Sequence, residues 1–178
     1  MIQADSTLEE VAFHVCSALE DAGITAVLTG GSAATVHSQG GYSSLDLDFV
    51  MTRLRGAEGA GEAALQRLGY RRDGGQFAHE ACPLALDFLR GPLAVGAEVL
   101  TVWETRQRRG LTLHLLRAAD SIKDRLAAFL HWGDVRGLDQ AAAVWRRTIQ
   151  DVDLEELRAW VAAEGGTERW SLILARLA

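Results

Sequence analysis

Asp46-Leu47-Asp48, two acids flanking one apolar residue, follows a Gly30-Gly31-Ser32 turn after thirteen intervening residues. On a strand, residues i and i+2 point to the same face. A strand over 45–51 therefore projects both carboxylates together. Such like charges repel, and a bound divalent cation removes that cost. Upstream, Ala26-Val27-Leu28 predicts a strand ending in the glycine turn, where a missing Cβ lets backbone approach a phosphate closely. A helical run over 32–37 follows, so the unpaired N–H groups at its start face the same point. Two acids beside a phosphate-sized nest suit magnesium-assisted chemistry on a nucleoside triphosphate. A plainer reading of Asp46 and Asp48 is a solvated pair on an edge strand. Ser32 as a cap of its own helix uses the same local geometry as a phosphate contact.

Asp87 sits inside the apolar run Leu84-Ala85-Leu86-Asp87-Phe88-Leu89. An ionised carboxylate there needs a partner or a metal, unless the Gly91-Pro92 turn carries the strand end into solvent. Glu80 is the fallback third acid. Lys123 lies near the start of a helix expected from Asp120, anchored by Ile122, Leu126 and Phe129. It is either a solvated charge with its stem laid on the core or a cation reaching a phosphate. Asp124 and Arg125 read as surface residues, and His37 and His114 as structural ones. His131-Trp132 and Asp134 read as a helix end or an acceptor surface, and the scattered tryptophans as core. Arg53 and Arg55, Arg71 and Arg72, and Arg106, Arg108 and Arg109 are either solvated or a rim facing RNA or phosphate.

Gly30, Gly31 and Ser32, then Asp46, Leu47, Asp48 and Phe49, resemble the signature of the nucleotidyltransferase superfamily. That signature is Gly-Gly or Gly-Ser, a spacer, then Asp-h-Asp/Glu-h with h apolar. The stretch Asp120 to Ala128 resembles a segment of minimal bacterial nucleotidyltransferases, including abortive-infection-type toxins, where a helix supplies a triphosphate-binding lysine. The likeness runs over 26–143. It implies transfer of a nucleoside monophosphate from a nucleoside triphosphate to an acceptor hydroxyl on tRNA or protein, with release of pyrophosphate. It implies that Asp46, Asp48 and Asp87 hold two Mg²⁺ ions, with Asp87 helping to deprotonate the acceptor. It implies further that Gly30, Gly31 and Ser32 bind the β- and γ-phosphates with Lys123 as counter-charge, and that an antitoxin partner restrains the enzyme. The linker Gly40-Gly41-Tyr42-Ser43-Ser44 departs from the pattern, lacking the basic or threonine residue many relatives place before the first aspartate. A catalytically reduced nucleotidyltransferase fold acting as a binding or regulatory module is therefore the second reading. An antibiotic-modifying transferase is the third, disfavoured by the short chain.

The elements that must position these residues are legible from periodicity. Ser6-Thr7-Leu8-Glu9 is a capping-box pattern that opens a helix closed by Gly23. A helix over 55–68 follows the acid strand, then a hairpin turn at Asp73-Gly74-Gly75 leading into a strand over 76–79. Strands are expected over 84–89, 99–104 and 111–115. From Ala118 the period becomes helical, with helices over 138–149, from Asp153 to Gly165-Gly166, and over 167–177. Strands first and helices later predict α+β: a mixed sheet flanked by helices with a C-terminal helical bundle. We read 1–117 as a nucleotidyltransferase-like core and 118–178 as a helical region packed on it. The 178 residues can bury a real core, and the net charge of −6 argues against a general nucleic-acid coat. Two distant cysteines give no disulfide framework. The absence of a long apolar run or a secretory start predicts a cytoplasmic chain with no membrane partner.

Overall fold

The computed structural model describes residues 2–178. Its first helix, α1 (Leu8–Asp21), is opened by Thr7, whose hydroxyl accepts from the Glu10 N–H while Glu10 accepts from the Thr7 N–H. The capping box thus lies one residue later than predicted, because Ser6 instead accepts from the Gln3 N–H and fixes the preceding turn. Strand β1 (Ile24–Leu28), helix α2 (Gly30–Ser38) and strand β2 (Asp46–Leu54) come next. Helix α3 begins only at Ala60 and ends at Arg67, not over the whole of 55–68. Gly59 stands at its N-cap with φ +78°, a conformation that glycine adopts freely and that starts the helix late.

A hairpin of β3 (Tyr70–Asp73) and β4 (Gln76–His79) leads into β5 (Cys82–Arg90). The strand expected over 99–104 divides. Its start pairs as β7 (Glu98–Val99) with β6 (Ala94–Val95) around Gly96, and the main-sheet strand is β8 (Glu104–Arg108). Val102 between them is exposed and has no core to join. After β9 (Leu111–Leu115) the chain is helical: α4 (Ala118–Trp132), α5 (Val135–Thr148), α6 (Leu154–Ala163) and α7 (Trp170–Leu177).

The main sheet has the order β3-β4-β5-β2-β1-β9-β8. It is mixed: β2 runs parallel to β5, and β1 parallel to β9, while β1 and β2 are antiparallel. The fold is α+β, a mixed sheet flanked by helices. Along β2 the alternation is plain. Leu47 and Phe49 are fully buried, and Phe49 stacks on Phe88 of β5 at 5.3 Å between ring centres. Asp46 and Asp48 point the other way. Ser17 of α1 exchanges hydrogen bonds with the Thr112 backbone and pins that helix to β9. Helices α4 and α5 pack on α2 and bring the C-terminal region to the start of that helix. No helix among the described residues is long and apolar enough to cross a membrane.

Candidate active site

The turn between β1 and α2 is stitched to the acid strand by backbone and hydroxyl groups. Thr29 donates its N–H to the Asp48 carbonyl at 2.8 Å. Ser32 donates its hydroxyl to the Thr29 carbonyl at 2.7 Å and accepts from the Asp48 N–H at 3.2 Å. Its side chain is wholly buried, so Ser32 fixes the turn on β2 through its hydroxyl and offers a ligand only its backbone. Gly30 has φ +62°, and a Cβ there would stand 2.5 Å from Asp48 Oδ2. Both constraints demand glycine: the Asp48 carboxylate occupies the space a side chain would take. The first helical bond of α2 runs from the Ala33 N–H to the Thr29 carbonyl, so the preceding N–H groups lie ahead of the helical ladder.

Asp46 and Asp48 share a face of β2, and Asp48 is in parallel register with Asp87 of β5. Registered neighbours on a sheet point the same way, so all three acids line one face. Ser44 donates to Asp46 Oδ1 at 2.9 Å and is held by its own N–H on Thr35 Oγ1. Ser44, two residues before Asp46 in the linker, is therefore the hydroxyl that orients it. The Asp48 carboxyl is pushed up to about 6, first by burial, then by the charge of Asp46, with Asp87 and Asp124 adding to the rise and Arg125 opposing it. Glu80 is exposed in the turn between β4 and β5, outside this row.

Among the described residues no group of three or more His, Cys, Asp or Glu is gathered closely enough to hold a metal ion by itself. Magnesium does not need such a cage: it takes one or two carboxylates and completes its shell with water and phosphate oxygens. Hard oxygen donors on one face, with Asp48 raised first by burial and then by the charge of Asp46, fit that demand.

Sequence reasoning, which read Asp124 and Arg125 as surface residues, missed a partly buried polar cluster of α4 and α5 that reaches the start of α2. Arg125 of α4 places Nε and Nη2 on Asp124 Oδ2 at 2.9 and 2.6 Å and Nη1 on Gln140 Oε1 of α5 at 3.2 Å. Gln140 is buried, and its Nε2 lies 3.8 Å from where a Cβ on Gly31 would stand; Ser44 Oγ is 3.4 Å from the same point. The Tyr42 ring reaches the same point at 3.6 Å, so the bare Cα of Gly31 floors a corner built by α2, α5 and the linker, with a hydroxyl, an aromatic edge and an amide around it. Lys123 is not brought to this group. It is buried between Glu156 at 3.0 Å and Glu98 at 3.6 Å, on the α6 and β7 side of α4.

No protein-family model matches the chain, and no curated protein is similar to it in sequence. Several of the remaining candidates are fastened into the scaffold, while Arg55, Arg71 and Arg109 are exposed. His37 Nε2 bonds the Leu116 carbonyl at 2.8 Å, and burial is the first cause that lowers its pKa. His114 Nδ1 bonds Thr105 Oγ1 at 2.9 Å. His131 pairs with Glu164, and Asp134 caps α5 by accepting from the Arg136 N–H. Of the arginines grouped in sequence, Arg72 pairs with Glu62, Arg106 with Glu104 and Glu9, and Arg108 with Glu9. Trp145 and Trp160 are buried, whereas Trp132 is exposed.

Proposed function

We propose that the protein transfers a nucleoside monophosphate from a nucleoside triphosphate to an acceptor hydroxyl. The observation that carries this reading is the row Asp46, Asp48 and Asp87 on one face of β2 and β5, with the Asp48 carboxylate lodged against Gly30 at the start of α2. The acceptor oxygen attacks the α-phosphorus, the bond to pyrophosphate breaks, and Asp87 takes the hydroxyl proton. The N–H groups at the start of α2 receive phosphate oxygens. Asp46, kept in place by Ser44, and Asp48, kept in place through Ser32 and Thr29, would hold Mg²⁺ with water and phosphate oxygens completing its shell, and Asp87 beside them on β5 would serve a metal through the same shell. When bound, the metal supplies positive charge at the α-phosphate and at the leaving pyrophosphate. The resemblance noted above extends the proposal to an acceptor on tRNA or protein and to restraint by an antitoxin.

The test is incubation with each α-labelled nucleoside triphosphate, Mg²⁺, and total RNA or protein. Label should appear in one acceptor class, and Asp46→Asn or Asp48→Asn should lower transfer by at least ~100-fold, the scale of losing charge stabilisation at a reacting phosphate. Near-natural transfer by the double Asn variant overturns the reading. Magnesium-dependent binding with no transfer to any acceptor favours a binding or regulatory module instead.

A further inference from the structure

We propose that Arg125, held by Asp124 and Gln140, is the cation that receives the β- and γ-phosphates of the nucleotide, and that Lys123 is a structural ion pair. This rests on the nucleotide-binding part of the function proposed above and assigns its phosphate end.

Helix geometry separates the two cations. At 3.6 residues per turn, Lys123 lies about 200° around α4 from Arg125, so the two side chains serve opposite sides. The Lys123 charge is already matched by two glutamates, and its side chain is 8% exposed. Arg117, also on that side, is itself engaged by Asp120 at 2.6 Å. That cluster is closed on itself.

Arg125 is poised differently. Three of its five N–H donors are engaged, two by Asp124 and one by Gln140, leaving one on each Nη nitrogen. The guanidinium is a planar fork suited to bidentate phosphate contact. Gln140 ties it to the corner beside Gly31, where the start of α2 contributes its N–H groups. Among the charged groups that act on Asp48, Arg125 is the cation, and Asp46, Asp87 and Asp124 are acids. One turn earlier on the same stripe, Ser121 is fully buried with a hydroxyl that has no partner. An arriving phosphate chain would take the free Nη donors, while Asp124 and Gln140 keep the fork from turning away.

The test measures equilibrium binding of ATP, GTP, CTP and UTP, and of the matching monophosphates, to the full chain in MgCl₂. For the base bound best, Arg125→Ala should weaken the triphosphate about 10- to 100-fold, the range for charged hydrogen bonds, and the monophosphate less than about twofold. Arg125→Lys keeps the charge, loses the fork and should recover part of the loss; it also serves should the alanine variant not fold. Lys123→Met should leave both ligands unchanged. A merely structural role for Arg125 would move triphosphate and monophosphate together, and that result overturns the assignment, as does full triphosphate affinity in Arg125→Ala or a selective loss in Lys123→Met. If the natural chain binds none of the four triphosphates, the nucleotide reading itself fails and takes this inference with it.

Discussion

Replacing Asp48 by Asn should make the metal-free protein more stable while removing its chemistry. Burial, and then the charge of Asp46, raises this carboxyl from 3.8 to about 6. The sign follows from linkage: the folded state holds the proton more tightly than the unfolded one, so ionising Asp48 works against folding. Below the unfolded value both states are protonated and nothing is lost. Between about 4 and about 6 stability falls as pH rises, and above about 6 the full penalty stands. A shift of this size corresponds to about 3 kcal/mol, and partial solvent access reduces that to roughly 1–2 kcal/mol. Asparagine keeps the shape beside Gly30, and the Thr29 and Ser32 contacts run to the Asp48 backbone, so they survive the change. Urea unfolding in EDTA at pH 4 and pH 7.5 measures the effect. Asp48→Asn should match the natural chain at pH 4 and exceed it by the stated amount at pH 7.5. A variant that is equally or less stable at pH 7.5, or one whose gain is the same at both pH values, refutes the reasoning. With MgCl₂ and a bound triphosphate the order should reverse, because ligation converts the repelling acids into binding groups.

Three further outcomes follow from single contacts. Gly30→Ala should cost about 1–3 kcal/mol in thermal or urea unfolding, because it combines a φ of +62° with a Cβ driven against Asp48, and it should abolish transfer by displacing that carboxylate. Ser32→Ala should cost about 1–3 kcal/mol, since the half-buried Asp48 N–H loses its acceptor, and that stability loss should persist when Asp46 and Asp48 are both Asn. Cys16, its thiol pushed up to about 12 by burial, should resist thiol reagents in the native protein at pH 8 and react only on unfolding in denaturant; reaction on mixing would overturn its placement on the sheet-facing side of α1.

How much of this was legible beforehand depends on the range of the interaction. The β1 turn, the start of α2 and the acid alternation on β2 are local, fixed by two glycines and by a period of two over a few residues; the sequence predicts their order and the shared face of Asp46 and Asp48, while α2 starts two residues earlier than expected, at Gly30, and β2 runs on to Leu54. The late start of α3 and the one-residue shift of the first capping box were hidden because competing signals overlapped. Gly56, Gly59 and Gly61 weakened a helix whose apolar spacing continued through them, and Ser6 and Thr7 both had an acid three residues on. The short β6–β7 hairpin was hidden because two-residue strands carry no period.

Lys123 and Arg125 show a different kind of limit. Two residues apart on one helix, both cations flank the buried stripe of Ile122 and Leu126, and periodicity marks that stripe without saying which neighbouring element lies on either side of it. Choosing between them needed partners distant in sequence: Glu98 and Glu156 for Lys123, Gln140 and Gly31 for Arg125. Gln140 itself reads as a polar residue in an alanine-rich helix, yet it is 5% exposed and bonded to a guanidinium. A buried amide so placed is costly unless every hydrogen bond is met. Its Oε1 is met by Arg125, and its Nε2 faces the corner floored by Gly31. Stability alone would favour an apolar residue at that position. An amide that bridges Arg125 to the start of α2 is instead what the proposed phosphate site would use, and because its partners are distant in sequence this cluster had to be read from the fold.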